Sequence, residues 1–350
     1  MMLSFEELAG DWVDSLDLAD DATPSRPLIA VDLDSAASVP TNELRVVATT
    51  VRRGLPLVVG VASRQLAAGV EALVDALDVT LVSEEVGCDR REVVCVPDVN
   101  VALSSLVAAV TATPRAAIAL GQVLRQTEQL DVRTGIAAEA SAYSMLLAGR
   151  EFKTWLEARR APRSAPEADK PAVVVERHGN VLSVVLDRPE RRNAFNAAMR
   201  DELVEALNVA RASPELRVEL SGRGANFCSG GDLDEFGTTT EVDSAYLVRL
   251  ERHPGWLLHQ LGERAVVKLH GACIGAGVEV PSLVHRVIAA DDAYFALPEV
   301  SMGLIPGAGG TVGIPHRIGR WRTAWLALTG ARIDANTALE WGLVDDVVRE

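Results

Sequence analysis

Along the first hundred residues, short aliphatic runs alternate with stretches whose apolar positions recur every three or four residues. LIAVDL (28–33), PLVVGVA (56–62) and VTLVS (79–83) have the length and β-branched content of buried strands, and RQLAAGVEALVDAL (64–77) has a helical period. That alternation predicts β/α units around a partly parallel sheet. Ahead of it, Leu3, Leu8, Trp12 and Leu16 share one face of a helix over residues 3–18, which predicts an amphipathic helix docked on its own chain.

Residues 101–160 change character. VALSSLVAAVTA ahead of Pro114, AAIALGQVLRQTEQL after it, and AEASAYSMLLAGREFKTWLEARR all carry apolar residues at helical spacing. The segment holds no histidine, and its carboxylates are expected on solvated helix faces, so it reads as packing material rather than a chemical site. APRSAPEADK (161–170), with two prolines and mixed charges, predicts a linker.

Beyond the linker the patterns start afresh. AVVVERHG and VLSVVLDRP (181–189) read as strands, and NAAMRDELVEALNVARA as a helix with Met199, Leu203, Ala206 and Leu207 inward. RVELSG and RAVVKLHG are further strands, and HRVIAADDAYFALPE is a strand pair around an acidic turn. PLIAVDLD near the start echoes NVLSVVLDRP; a degenerate internal copy and ordinary βα recurrence explain the echo about equally. The expected organisation is an N-terminal α/β and helical region (1–160), the linker, and an α/β core (171–350).

Composition narrows the function. A chain of 350 residues with 48% hydrophobic and 24% charged content is a folded protein of one large or two ordinary domains, with two expected. Its net charge of -15 opposes any broad attraction to nucleic acid or an anionic membrane, so an anionic ligand must be held by local donors. No apolar run reaches membrane-span length, and the N-terminus lacks the basic start and apolar stretch of a secretory signal. Cys88, Cys95, Cys228 and Cys273 form no CxxC pair, which predicts reduced thiols in a cytoplasmic protein, without a disulfide framework or metal site.

Candidate chemistry gathers at three glycine-rich corners. In SGRGANFCSGGDLDEF (221–236), a strand ends and glycines permit tight turns that leave backbone N–H groups free for a negative oxygen; an ordinary strand-to-helix turn has the same look. HGACIGAGVEV (270–280) crowds Gly275, Ala276 and Gly277 before Glu279. A carboxylate between Val278 and Val280 is desolvated and suits acid–base work, although a glutamate in a first helical turn is also favoured by the dipole. FALPEVSMGLIPGAGGT (295–311) places Glu299 at an apolar strand end before another glycine loop, without the spacing of a dinucleotide site.

These motifs, FCSGGDL, HGACIGAGVE and ALPEVSMGLIPGAGGT, resemble in order and separation the signatures of the crotonase superfamily, or enoyl-CoA hydratase/isomerase family, over residues 172–348. The resemblance implies a crotonase-like (ββα)-repeat spiral core and a coenzyme A thioester substrate, with no separate cofactor. It places an oxyanion hole at the amides of Gly231 and Ala276, where many members have glycine at the second place. It gives Glu279 and Glu299 the holding and activation of one water, and Gly307 an amide that helps position it. RRNAFN (191–196) resembles the segment whose backbone at Ala194 meets the adenine, with Arg191 or Arg192 near the phosphates; Asp232 and Leu233 follow Gly231 as substrate-side residues. Hydration of a 2-enoyl-CoA is the reaction implied. Isomerisation, a specialised biosynthetic step and non-catalytic CoA binding are the alternatives, and a homo-oligomer, trimer or hexamer, is implied as well.

Two departures stand out. His285 occupies a place where many members have Asp. The chain runs only to WGLVDDVVRE, whereas members continue into helices that cover the acyl site, and PRAAIALGQVLR and AEASAYSMLLAGREFKTWLEARR upstream resemble that covering region. Residues 101–160 are therefore expected to fold over the core, in cis or from a neighbouring subunit.

Overall fold

A computed structural model of the chain describes residues 2–10, 15–159, 170–238 and 241–349. The first sheet is wholly parallel, in the order β1 (Met2–Leu3), β2 (Leu28–Asp32), β3 (Leu57–Ala62), β4 (Val79–Val82) and β5 (Val94–Cys95). All six positions of β3 are buried, which is why PLVVGVA reads as a continuous apolar run rather than an alternating one. Helix α1 (Phe5–Gly10) follows β1, and α2 (Thr41–Arg53) turns Leu44, Val47, Ala48 and Val51 inward at helical spacing.

Three expectations fail in this part. The helix predicted over 3–18 stops at Gly10 among the described residues; residues 11–14, with Trp12, lie outside them, and Leu18 instead bridges Pro24. The helix predicted over 64–77 is only α3 (Glu71–Ala76), because Gly69 takes φ +96° just before it. Cys88 and Cys95 are joined in a disulfide at a Cα separation of 5.8 Å, so only Cys228 and Cys273 are free thiols.

Four helices follow: α4 (Val99–Ala112), α5 (Pro114–Thr127), α6 (Val132–Leu147) and α7 (Arg150–Ala158). Asp98 and Asp131 cap α4 and α6 by accepting from two first-turn amides each, and Pro114 opens α5 where a missing N–H costs nothing. The predicted helix over 138–160 breaks at Gly149, whose N–H is drawn back to Leu146 O at 2.8 Å. The expected linker lies outside the described residues apart from Lys170.

The C-terminal half holds a six-stranded sheet and a three-stranded sheet. Strands β6 (Val173–His178), β7 (Val181–Leu186), β8 (Arg217–Gly222), β9 (Ala265–Leu269), β11 (Arg286–Ala290) and β14 (Asp346–Val348) run β14-β11-β9-β8-β7-β6, parallel except at β6–β7. The small sheet holds β10 (Ala272–Ile274), β12 (Tyr294–Ala296) and β13 (Ile333–Asp334). In successive turns the chain lays a strand in the large sheet, then one in the small sheet, then a helix: β9, β10 and α11 (Ala276–Ser282), then β11, β12 and α12 (Gly310–Thr329). The strands on either side of the acidic turn, β11 and β12, thus belong to different sheets and do not pair with each other. Helices α8 (Ala197–Ala212), α9 (Val242–Glu251), α10 (Pro254–Leu261) and α13 (Ala335–Trp341) complete the fold.

Apolar side chains form two main clusters. One joins α1, α2 and α3 to one face of the first sheet, through residues such as Phe5, Leu44, Leu73 and Val58. The other takes the opposite face of that sheet, through Leu57, Val59 and Leu81, together with α4 to α7 and the whole C-terminal half. Leu120 of α5 is fully buried there and contributes about 2 kcal/mol. The helices of residues 99–158 therefore pack on the core of their own chain, in cis.

Buried ions fasten the halves. Asp78, 2% exposed, accepts from Arg125 Nε at 2.9 Å and Nη2 at 2.5 Å and from Val58 N at 2.8 Å, while Arg320 Nη1 of α12 donates to Leu77 O at 2.8 Å.

Candidate active site

The first two corners meet through backbone. Phe195 N donates to Gly230 O at 2.8 Å and Asp232 N donates to Phe195 O at 2.9 Å, so RRNAFN lies alongside SGGDL. Asn193 is fully buried at φ +52°, and its side chain pins the segment by donating to Arg223 O and Asn226 O and accepting from Arg188 N. Cys228 N donates to Ala272 O and Ile274 N to Cys228 O, both at 3.0 Å, which sets the 228–231 turn against β10. At Gly230 (φ +95°) and Gly275 (φ +51°) the backbone takes conformations that other residues adopt only with strain. The amides that follow, Gly231 N and Ala276 N, donate no hydrogen bond among the described residues.

Glu279 stands in the first turn of α11 and Glu299 directly after Pro298 beyond β12; both are buried, at 3% and 9% exposure. A side chain at Gly275 would run into Glu299 Oε1, which puts that carboxylate beside the amide of Ala276. Glu279 Oε2 accepts from Ala308 N at 2.7 Å and Gly310 N at 3.2 Å, where the third glycine loop opens α12. Glu299 Oε2 is buried with no partner. Burial pushes the Glu279 carboxyl well up, the charges of Glu299 and Glu139 push it further, and the two amides pull it down. Burial raises Glu299 to about 8, with Glu139 adding to it.

Glu139 corrects the reading of residues 101–160 as packing material. It is 1% exposed on α6, accepts from Gly309 N at 2.7 Å, Thr311 N at 2.8 Å and Thr311 Oγ1 at 2.7 Å, and is raised to about 7 by burial. One turn along, the Tyr143 ring fills the space beside Gly307, and Arg249 of α9 lies 4.1 Å over that ring. Burial pushes the Tyr143 phenol to about 12, with the charges of Glu279 and Glu299 contributing. His253 flanks Gly309 from the other side, its Nδ1 accepting from Trp256 N at 3.0 Å, and burial lowers it to about 4. Sequence reasoning missed all four residues. For Glu139 a signal existed: it lies three and four residues from Ile136 and Gly135, four from Tyr143 and seven from Leu146, all of them on the buried face of α6.

The residues expected on the coenzyme side are less free. Arg191 Nη2 donates to Asp232 Oδ1 at 3.0 Å and also to Asp234, and Arg188 Nη2 donates to Asp232 Oδ2 at 3.0 Å. The side chain of Asp232, 5% exposed, is thus occupied by two arginines and by capping Asp234 N. Arg192 is exposed, with φ +53° turning it away from the helical path. Ala194 O accepts from Arg188 Nη1 at 2.5 Å, and Leu233 is 43% exposed beside Gly231. His285 follows α11 near the surface, where its carbonyl accepts from Arg317. Among the described residues, no group of three or more His, Cys, Asp or Glu is placed to hold a metal ion.

Buried carboxylates raised by burial, beside two amides without partners among the described residues, are the kind of cluster at which enzymes place their chemistry. The sequence profile of the enoyl-CoA hydratase/isomerase family matches residues 176–350. The 2,3-dehydroadipyl-CoA hydratase of Escherichia coli (strain K12) is 34% identical over 177 residues, 50% of this chain and 68% of that protein. Among solved structures, the enoyl-CoA hydratase of Thermoplasma volcanium GSS1 is 33% identical, with 51% of this chain and 72% of that one covered and a TM-score of 0.48. A Thermobifida fusca YX protein solved in complex with acetoacetyl-CoA is 26% identical, with 51% and 74% covered and a TM-score of 0.47. The chain belongs to the enoyl-CoA hydratase/isomerase family.

Proposed function

We propose that this enzyme adds water across the double bond of a 2-enoyl-CoA thioester. The amides of Gly231 and Ala276 donate to the thioester oxygen, where charge develops as the enolate forms, and each contributes about 3 kcal/mol to lowering the barrier. Glu279 and Glu299 hold one water between them, with the Gly307 amide beside it. Water oxygen bonds to C3 as Glu279 takes its proton, and the enolate collapses as Glu299 gives its proton to C2 on the same face. Proton exchange between the two acids then restores the starting state.

The assignment of the proton rests on hydrogen bonds rather than burial, which the two acids share. Glu279 has two amide donors that favour its charged form, whereas Glu299 Oε2 has none. Two close carboxylates do not both ionise cheaply, so the pair carries one proton at neutral pH. The observation that carries the reading is a buried Glu299 carboxyl whose Oε1 lies beside Gly275 and whose Oε2 has no partner, its charge felt by an acid already held by amides. The E. coli relative's name, that of a hydratase acting on a 2-enoyl thioester, supports the same reaction type.

On the coenzyme side, Arg192 is the freer cation for the phosphates, because Arg191 is neutralised by Asp232 and Asp234; the backbone at Ala194, assigned to the adenine by the family resemblance alone, already accepts from Arg188 Nη1 and donates to Arg191 O. Mixing the protein with crotonyl-CoA and following the conjugated thioester absorbance tests the function. Loss of absorbance that Glu279→Gln abolishes is expected; an unchanged spectrum with CoA still bound would overturn hydration of this substrate and leave isomerisation, another acyl-CoA reaction or CoA binding alone.

A further inference from the structure

Four successive amides at the start of α12 are shared between two carboxylates from distant parts of the chain. Ala308 N and Gly310 N donate to Glu279, and Gly309 N and Thr311 N donate to Glu139, 170 and 172 residues away in sequence. The alternation follows from geometry, because consecutive N–H groups in a tight turn diverge and each acid collects those on its own side. Thr311 Oγ1 adds a third donor to Glu139 at 2.7 Å. Glu139 is 1% exposed, and both of its oxygens accept from this turn.

We propose that Glu139 is a positioning residue for the hydration reaction: it anchors the 308–311 turn from the upstream helical region, so that the alternate amides are held on Glu279. Replacing either carboxylate oxygen by a donor leaves the Gly309 or the Thr311 amide unpaired in a buried place, and the turn rotates to recover a partner. Glu279 then loses its two donors and, with them, its orientation. The charged and titratable groups around Glu139 are Glu279 of α11, Glu299 beyond β12, Arg249 of α9, and Tyr143 on its own helix; His253 flanks the turn at Gly309. Both other acids feel the negative charge of Glu139, so neutralising it lowers the pH at which Glu299 titrates, whereas at Glu279 the loss of the two amide donors opposes that change.

The inference rests on the hydratase reading for its kinetic arm and stands without it for its structural arm. Glu139→Gln keeps the shape but places an NH2 where an N–H needs an acceptor. On crotonyl-CoA its kcat is expected to fall by about 10²-fold, as for a misplaced catalytic group, with KM within about twofold and the alkaline limb of the pH profile, set by Glu299, moved to lower pH. In a crystal structure of the variant, Glu279 Oε2 is expected to lose its contacts with Ala308 N and Gly310 N. Thr311→Val, which removes one donor to Glu139 at nearly constant volume, should move the profile the same way by less, and it serves if Glu139→Gln does not fold. A folded Glu139→Gln protein with wild-type kcat and pH profile would overturn the proposal, as would an undisturbed turn still bonded to Glu279. Should the wild-type protein leave crotonyl-CoA untouched, the hydratase reading falls, and the crystal structure alone decides the positioning role.

Discussion

Replacing Glu299 by glutamine should stabilise the protein at alkaline pH while removing its activity. The side chain is 9% exposed, its Oε2 has no partner, and its carboxyl is raised from 4.5 to about 8 in the fold. A raised carboxyl means that the native state binds the proton more tightly than the unfolded chain between those values. Stability is therefore fully present below pH 4.5 and declines as pH rises towards about 8. The displacement corresponds to a ceiling of about 5 kcal/mol for full ionisation, and water entering the site lowers it to a few kcal/mol. Glutamine resembles the protonated acid and does not titrate. Wild type and E299Q should unfold alike in urea near pH 4.5, with the variant ahead by a few kcal/mol well above pH 8. Its kcat should fall by about 10²-fold or more. A constant or shrinking lead as pH rises would refute the reasoning, because it would mean that the carboxylate is not destabilised by burial.

Other substitutions test separate links. Glu279→Gln should lower kcat on crotonyl-CoA by about 10²–10⁴-fold with KM changed little, as steady-state kinetics will show. Gly275→Ala forces a side chain onto Glu299 Oε1 at φ +51°; a stability loss of about 1–3 kcal/mol in thermal unfolding, together with a kcat defect, is expected. Arg125→Met strips the bidentate partner from Asp78, 2% exposed, and should cost about 3–5 kcal/mol in urea unfolding, with partial recovery in the Arg125→Met/Asp78→Asn double variant.

What the sequence revealed follows the physics of burial. Strands such as β3 and β4, covered on both faces, leave uninterrupted apolar runs, whereas the two-residue strands β1 and β5 leave no pattern of their own. Glu279 and Glu299 were legible because each interrupts an apolar stretch beside a glycine corner. Glu139 interrupts one too, but Ala and Ser surround it and make a buried face look like a solvated one. The neutralisation of Arg191 was hidden for another reason: it depends on Asp232 and Asp234, carried there by a loop 41 and 43 residues further along. Cys88 and Cys95 pair across a seven-residue separation that has no signature spacing. The covering helices were recognisable by resemblance, yet only the packing of Tyr143 against Gly307 and of Glu139 against Gly309 and Thr311 tells that they reach the site.

A crystal structure with acetoacetyl-CoA, whose thioester mimics the substrate and whose 3-oxo group marks the site of water addition, tests the central claim most directly. The thioester oxygen should lie within about 3 Å of both Gly231 N and Ala276 N, with C3 and its oxygen between Glu279 and Glu299. A thioester oxygen bound away from either amide, or acids on opposite sides of a wall from C3, would contradict the account.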